Sequence, residues 1–200
     1  MKQAEMLETF RKTGALLNGH FELRSGLHSD EYFQCALLLQ YPAVAEKLCA
    51  ALVEKMRLVS GGRIVADGVI SPAMGGLFVG HEIARALSLR HIFAEKEAGQ
   101  LVLRRGFEIK KGEKLVVAED VVTRGGRVQE TIDIVEKAGG IVSAIVVLVN
   151  RSGGKASFKQ PFFSLLEMEP VTYEPAACPL CKRGEPMIHP GSKSVVSAKA

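Results

Sequence analysis

Leu115-Val116-Val117-Ala118-Glu119-Asp120-Val121-Val122-Thr123-Arg124-Gly125-Gly126-Arg127 decides how this 200-residue chain is read. Four apolar residues running into two carboxylates make a strand covered on both faces, as strands of parallel sheets are. A hydroxyl and two glycines follow, and a helix is expected to start at Val128-Gln129-Glu130-Thr131 and run to about Ala138. The glycines let successive N–H groups turn toward an anion, and the helix adds its positive end, so a phosphate fits there. Glu119 and Asp120 do what a bare phosphate site would not need. They hold ribose hydroxyls or a phosphate-bound metal, directly or through water. The substrate implied carries both sugar and phosphate.

Outward from this string, helices and strands alternate. Leu7, Phe10, Leu16 and Leu17 at helical spacing predict a helix over residues 3–17, ending near Asn18-Gly19. Pro42 opens and Ser60-Gly61-Gly62 closes a second helix. Ile64-Val65-Ala66 reads as a short strand, Gly75 to Leu89 as a helix after the turn Ser71-Pro72, residues 90–94 as a strand and Ile141 to Val149 as a long one. Such alternation with short connections predicts an α/β fold: a parallel sheet with helices on both sides and ligands at the strands' carboxyl ends. Two more strand ends carry polar groups. Asp67 to Gly76 makes a second glycine-containing turn before a helix, read either as an oxyanion cradle or as close packing at Gly75-Gly76. Val147-Leu148-Val149-Asn150-Arg151 ends in a lone Arg, either a surface residue or a fork of donors for a planar carboxylate.

Composition narrows the class. The chain is 47% hydrophobic with three Tyr, nine Phe and no Trp, which suits one aliphatic α/β domain, and no apolar run approaches the ~20 residues of a membrane span. Met1 to Glu8 reads as an amphipathic helix start and not as a signal peptide, so a cytoplasmic enzyme is expected. A formal charge of +4, with scattered basic residues, favours anionic small molecules over nucleic acid. Neither Gly-x-x-x-x-Gly-Lys-Ser/Thr nor GxGxxG occurs. Cys35 and Cys49 read as small buried hydrophobes. Cys178-Pro179-Leu180-Cys181 reads as a plain tail turn, a metal-binding pair with His189 as the nearby third candidate, or a redox pair.

The string from Leu115 to Arg127 resembles the signature of the type I phosphoribosyltransferases, which bind 5-phosphoribosyl 1-diphosphate. Glu119, Asp120, Thr123, Gly125 and Gly126 fill the pattern's places. The resemblance implies that Glu119 through Arg127 (with Val121, Val122 and Arg124) hold the donor, and that Mg2+ is carried mainly on its diphosphate and ribose. It identifies 67–76 with a pyrophosphate loop and Phe93 to Gln100 with a flexible hood, whose Lys96 reaches the pyrophosphate, often across a homodimer interface. Lys96 thereby joins Glu119 and Asp120 as a catalytic residue, with Arg104 and Arg105 as further cations. Gly75 departs from the pattern where orotate-specific members often have Lys, and Glu95 stands where another base is expected. Arg124 and Arg127 replace smaller residues.

The segment Gly19 to Gln34, with Ser25-Gly26, Ser29 and Tyr32-Phe33, resembles the N-terminal hood of orotate phosphoribosyltransferases. Tyr32 and Phe33 would flank a flat pyrimidine or form the edge of a small core. Arg24 stands where many members have Lys. Arg151 matches the Arg that pairs with the orotate carboxylate, with Thr123 beside the base. The resemblance covers the whole chain as one domain, with the core at about 41–159 and the hood at about 1–40 plus a tail at about 160–200. It implies transfer of the phosphoribosyl group to orotate, giving orotidine 5′-phosphate in de novo pyrimidine synthesis. The rivals are a purine phosphoribosyltransferase and a non-catalytic nucleic-acid-binding regulator on the same fold.

Overall fold

Among the elements of the computed structural model, which describes residues 3–23, 25–169 and 171–189, helix α1 (Gln3–Lys12) stops earlier than its apolar spacing suggests. Gly14, at φ 68°, ends it: the Ala15 N–H closes on the Phe10 carbonyl and the Gly14 N–H on that of Arg11. This is the left-handed helix stop that glycine favours. Leu16 and Leu17 therefore begin strand β1 (Leu16–Glu22), and the helix expected to reach residue 17 is corrected to end at Lys12. Then come β2 (His28–Phe33), α2 (Cys35–Leu39), α3 (Pro42–Ser60), β3 (Gly68–Pro72), α4 (Gly75–Leu87), β4 (Arg90–Glu97) and β5 (Gln100–Leu103). The chain continues through β6 (Lys114–Val122), α5 (Gly126–Lys137), β7 (Ile141–Asn150), β8 (Phe162–Glu167), α6 (Pro179–Lys182) and β9 (Met187–Ile188).

Six strands form one sheet in the order β5-β4-β3-β6-β7-β8, parallel throughout except for β5, which folds back on β4 as an antiparallel ribbon. Alternation along β6 sends Val116 and Ala118 to one face, packed with residues of α1, α3 and α4. Leu115 and Val117 point to the other, against Val128, Ile132 and Val135 of α5. Each such fully buried aliphatic side chain contributes about 1.5–3 kcal/mol, so the central strands, covered on both faces, hold the domain together. No described helix is long and apolar enough to cross a membrane.

Two sequence expectations shift here. Ile64-Val65-Ala66 is not a strand; the strand begins at Gly68, and all five of its residues are buried. Val65 is exposed, whereas Ser71 and Pro72, which disguised the true strand, sit inside it with Pro72 as its last residue, where a missing N–H costs least. The core sheet also runs past residue 159, because β8 pairs in parallel with β7. The tail's share of the hood starts beyond Glu167. There β9 pairs with β1, which pairs with β2, and His28 and Tyr173 exchange backbone hydrogen bonds of 2.9 and 2.8 Å.

Between β3 and β4, the Ser71 hydroxyl and His91 Nε2 share a hydrogen bond of 2.9 Å. Burial, and secondarily His81, lowers the His91 pKa to about 4. The unfolded chain thus binds a proton that the folded chain refuses. Stability from this group is complete above the ordinary histidine value and is lost as pH falls toward 4. Thermal melts at pH 7.5 and 5 are expected to show a drop that shrinks in His91→Gln; an equal drop in both proteins would remove His91 from the acid response.

Candidate active site

The strand order puts a switch point between β3 and β6, whose following helices leave to opposite faces: α4 joins the face with α3, and α5 covers the other. The crevice between such diverging loops is where open α/β sheets bind ligands. Three strand ends, those of β3, β6 and β7, converge on it.

Glu119 is 3% exposed. Its Oε1 accepts the Asp120 N–H at 3.1 Å, while Oε2 is buried without a hydrogen-bond partner. Asp120 Oδ1 accepts the Val121 N–H at 2.7 Å. Burial, then the Asp120 charge, pushes the Glu119 carboxyl well above the ordinary carboxylate range; Asp120 is raised too, by burial. Arg127 opposes both shifts from nearby.

The β3–α4 turn, which includes a cis peptide at Ala73-Met74, closes directly on the acids. A Cβ on Gly75 would lie 2.7–2.8 Å from the Asp120 carboxylate, and one on Gly76 would lie 2.9 Å from Glu119 Oε1. Close packing at Gly75-Gly76 is thus what the glycines permit. It brings the N-terminus of α4, with its unpaired N–H groups, against the carboxylates. Where relatives often carry Lys, there is no room for a side chain without displacing Asp120.

Behind β6, Gly125 caps α5 at φ 79°, and a Cβ there would lie 2.9 Å from the Phe158 ring. The helix therefore starts at Gly126, two residues before the expected Val128. Its first-turn N–H groups stand where the sequence placed an anion site. Thr123 and Arg124 are exposed at this mouth. Arg127 points the other way: its Nη1 donates to the Ala73 carbonyl at 3.2 Å, linking the two loops across the crevice. The two arginines, equivalent in sequence, thus differ in place.

Arg151 is 7% exposed, and its N–H donates to the Val122 carbonyl, seating it beside the acidic strand. The guanidinium carbon lies 5.4 Å from the Phe33 ring centroid and 5.9 Å from that of Tyr32. Its Nε is buried without a hydrogen-bond partner, and no carboxylate forms an ion pair with it among the described residues. Burial pulls its pKa down, with Tyr32, Cys35 and Glu31 opposing, so the guanidinium is costly to hold there without a closer partner. Phe33 also packs edge-on against Phe10, so it serves the small core as well as the Arg151 pocket. Arg24 lies outside the described residues.

Lys96 projects from the ribbon, exposed and with no ion pair among the described residues. Among the described residues it makes no hydrogen bond or ion pair with the acidic pair. Glu95 is held by Arg105 at 3.0 Å and more loosely by Arg104, which also pairs with Glu97. Sequence reasoning passed over Ser152, whose Oγ is buried and unpartnered beside Arg151, because a Ser before Gly153-Gly154 reads as loop. It also gave Cys35 only a packing role. That thiol is 1% exposed and is pushed up by burial and then by Asp120, while Arg151 opposes the shift, which places it between the two charged ends of the crevice. Surface depressions of about 520 and 360 Å3 lie along α3, away from these strand ends.

A buried acidic pair between two helix-capped anion loops at the switch point of a parallel sheet defines a phosphoribosyl-handling α/β enzyme. The phosphoribosyl transferase domain family matches residues 38–179, and the chain belongs to that family. An orotate phosphoribosyltransferase of Carboxydothermus hydrogenoformans is 49% identical over 94% of this chain and 97% of its own length. The crystal structure of an orotate phosphoribosyltransferase from Aeropyrum pernix superposes with a TM-score of 0.66, at 26% identity over 82% of this chain and 93% of that one. An adenine phosphoribosyltransferase from Thermoanaerobacter pseudethanolicus shares the fold alone, with a TM-score of 0.56 at 16% identity over 69% of this chain and 88% of that one.

A carboxyl whose pKa rises on folding holds its proton more tightly in the folded chain. Stability from it is therefore greatest at low pH and falls as pH climbs from the ordinary carboxylate range through the raised value. Wherever the pair is ionised, it is a net cost to the fold. Glu119→Gln is expected to melt higher than the parent at pH 7, by about 2–4 °C for each kcal/mol relieved, with the gap closing at acid pH. A lower melting point at pH 7 would show that the pair stabilises the ligand-free fold.

Proposed function

We propose that the chain transfers the 5-phosphoribosyl group of 5-phosphoribosyl 1-diphosphate to orotate, giving orotidine 5′-phosphate and diphosphate in pyrimidine synthesis. The observation that carries the choice of base is the buried, unpaired Arg151 against Tyr32 and Phe33, one strand from the acidic pair. Its planar fork matches a carboxylate, which orotate has and a purine base lacks.

The donor's 5′-phosphate takes the N–H groups from Thr123 to Arg127, and its ribose hydroxyls take Glu119 and Asp120. Glu119 Oε2, a buried acceptor with no partner, suits a hydroxyl donor. The same two acids, through water, suit Mg2+ riding on the donor. When bound, Mg2+ would offset charge on the diphosphate. Carbon–nitrogen bond formation at C1 accompanies cleavage of the C1–oxygen bond, and the electron pair leaves with diphosphate. Positive charge developing on the ribose is met by the carboxylates beneath it, and negative charge on the leaving group by the α4 N-terminus and Arg127. Orotate's ring N–H is acidic and needs no strong base; Arg151 and the aromatic rings orient it and exclude water.

Lys96 acts on the diphosphate of a neighbouring subunit in a homodimer. Its exposure supports this, as do the exposed apolar side chains of Leu37, Tyr41, Met74 and Phe78, carried by α2, the α3 entry and α4 beside the pyrophosphate loop. The reaction belongs in the cytoplasm, where a donor of such charge is retained.

Purified protein with Mg2+ and the donor is expected to consume orotate and leave adenine unchanged; turnover of adenine alone would overturn the choice of base. Asp120→Asn should lower turnover tenfold or more, on the order of 1.4 kcal/mol in the barrier. Arg151→Ala should raise the KM for orotate more than that for the donor, and the reverse pattern would reassign the residue. Mixing impaired Lys96→Ala with impaired Asp120→Asn should raise activity above either alone, since one site of each mixed dimer is then intact; no gain would place Lys96 outside the neighbour's site.

A further inference from the structure

His20 and His28, which the sequence reading left without a role, meet Cys178 and Cys181 in the hood. The four donor atoms lie within 4.8 Å of one another. Cys181 Sγ is 3.3 Å from His28 Nδ1 and 3.6 Å from His20 Nε2, and Cys178 Sγ is 3.8 Å from His20 Nε2. Zinc with Zn–S near 2.3 Å and Zn–N near 2.0–2.1 Å puts the corners of its tetrahedron roughly 3.3–3.8 Å apart. The three sulfur–nitrogen distances fall in that range. The His20 Nε2 to His28 Nδ1 separation of 2.9 Å is shorter by a few tenths, which a small ring rotation supplies.

We propose that His20, His28, Cys178 and Cys181 hold a structural zinc ion that fastens the C-terminal tail to the N-terminal hood. His20, His28 and Cys178 are all at least nine-tenths buried, so the donors face inward rather than toward solvent. His20 Nδ1 lies 2.9 Å from the Glu185 carbonyl. As the N–H donor of that bond, Nδ1 leaves the Nε2 lone pair aimed into the cluster, and such an outer hydrogen bond is the usual partner of a metal-bound imidazole. His28 is held at its backbone by Tyr173. Two thiols that each lose a proton to solvent on binding balance the 2+ charge, so the closed site is neutral and suits burial. Two sulfurs and two imidazoles favour zinc over magnesium or calcium, which want oxygen. With four protein ligands no position remains for substrate, so the role is structural.

The tail has little else to hold it. β9 has two residues and α6 four, too short to persist by themselves; Cys178 caps the start of α6 and Cys181 lies within it. His189, the nearby third candidate from the sequence, instead has its Nδ1 2.8 Å from Glu22 Oε2. The true partners lie more than a hundred residues upstream, on adjacent strands of the hood, and so form no local motif.

The test is metal content, which does not depend on the reaction assigned to the chain. Protein purified under reducing conditions without chelator is expected to carry about one zinc per chain. Its cobalt-exchanged form should show the intense visible bands of a tetrahedral thiolate–imidazole site. His28→Gln and the more exposed Cys181→Ser should lose the metal and the bands, while His189→Ala keeps both. Metal-free protein that also takes up no cobalt in this spectral form would overturn the proposal, as would a Cys178–Cys181 disulfide in metal-free protein or full zinc retention in His28→Gln/Cys181→Ser. If a variant fails to fold, cobalt uptake by the parent chain decides alone.

Discussion

Two carboxylates buried side by side at the end of the central strand are the constraint around which the rest is arranged. Taking them from water raises both pKa values and costs stability in the ligand-free fold. The surroundings offset that cost with dipoles more than with charges. Gly75 and Gly76 carry no side chains, so the positive end of α4 comes up against Asp120 and Glu119. Among the described residues Arg127 is the guanidinium that acts on both, and it is tied to Ala73. A Lys at position 75 would supply a mobile cation for a diphosphate. This chain supplies a fixed helix terminus and one anchored arginine instead, trading reach for preorganisation.

The same geometry separates the tasks of the crevice. In the proposed reaction the loops after β3 and β6 would serve phosphate through backbone N–H groups, which are indifferent to the base. The choice of base would then rest with Arg151 after β7 and with Tyr32 and Phe33 of the hood, elements that sit on the far side of β6.

How much could be read in the sequence follows from where the physical signals were local. β6, its acids and its glycine cap were legible because strand burial, charge and loop conformation all fall within thirteen consecutive residues. Arg151 was legible as the polar end of a long apolar run. β3 was misplaced because Ser71 and Pro72 look like a turn, although both are buried at the strand's end. α1 was drawn too long because Leu16 and Leu17 keep a helical spacing that Gly14 has already interrupted. β8 was missed although Phe162 to Leu166 is mostly apolar, since no helix precedes it to complete the alternating pattern.

The hood shows the limit of local reading most clearly. Its small sheet is made of the chain's beginning and its tail, so nothing in either segment announces the other. Tyr32 and Phe33 reach Arg151 from β2, and β2 is held on one side by β1 and at His28 by Tyr173 of the tail. Ser29 adds a further tie, its hydroxyl donating to the Val171 carbonyl at 2.9 Å. The position of the aromatic pair over the guanidinium therefore depends on the tail being docked. Among the described residues, α6 and β9 of the tail hold six residues and cannot secure that position by burial alone, because short elements bury too little apolar area to offset the ordering entropy of their residues. A cross-link between tail and β1–β2, of whatever chemistry, thus bears on where Tyr32 and Phe33 sit against Arg151.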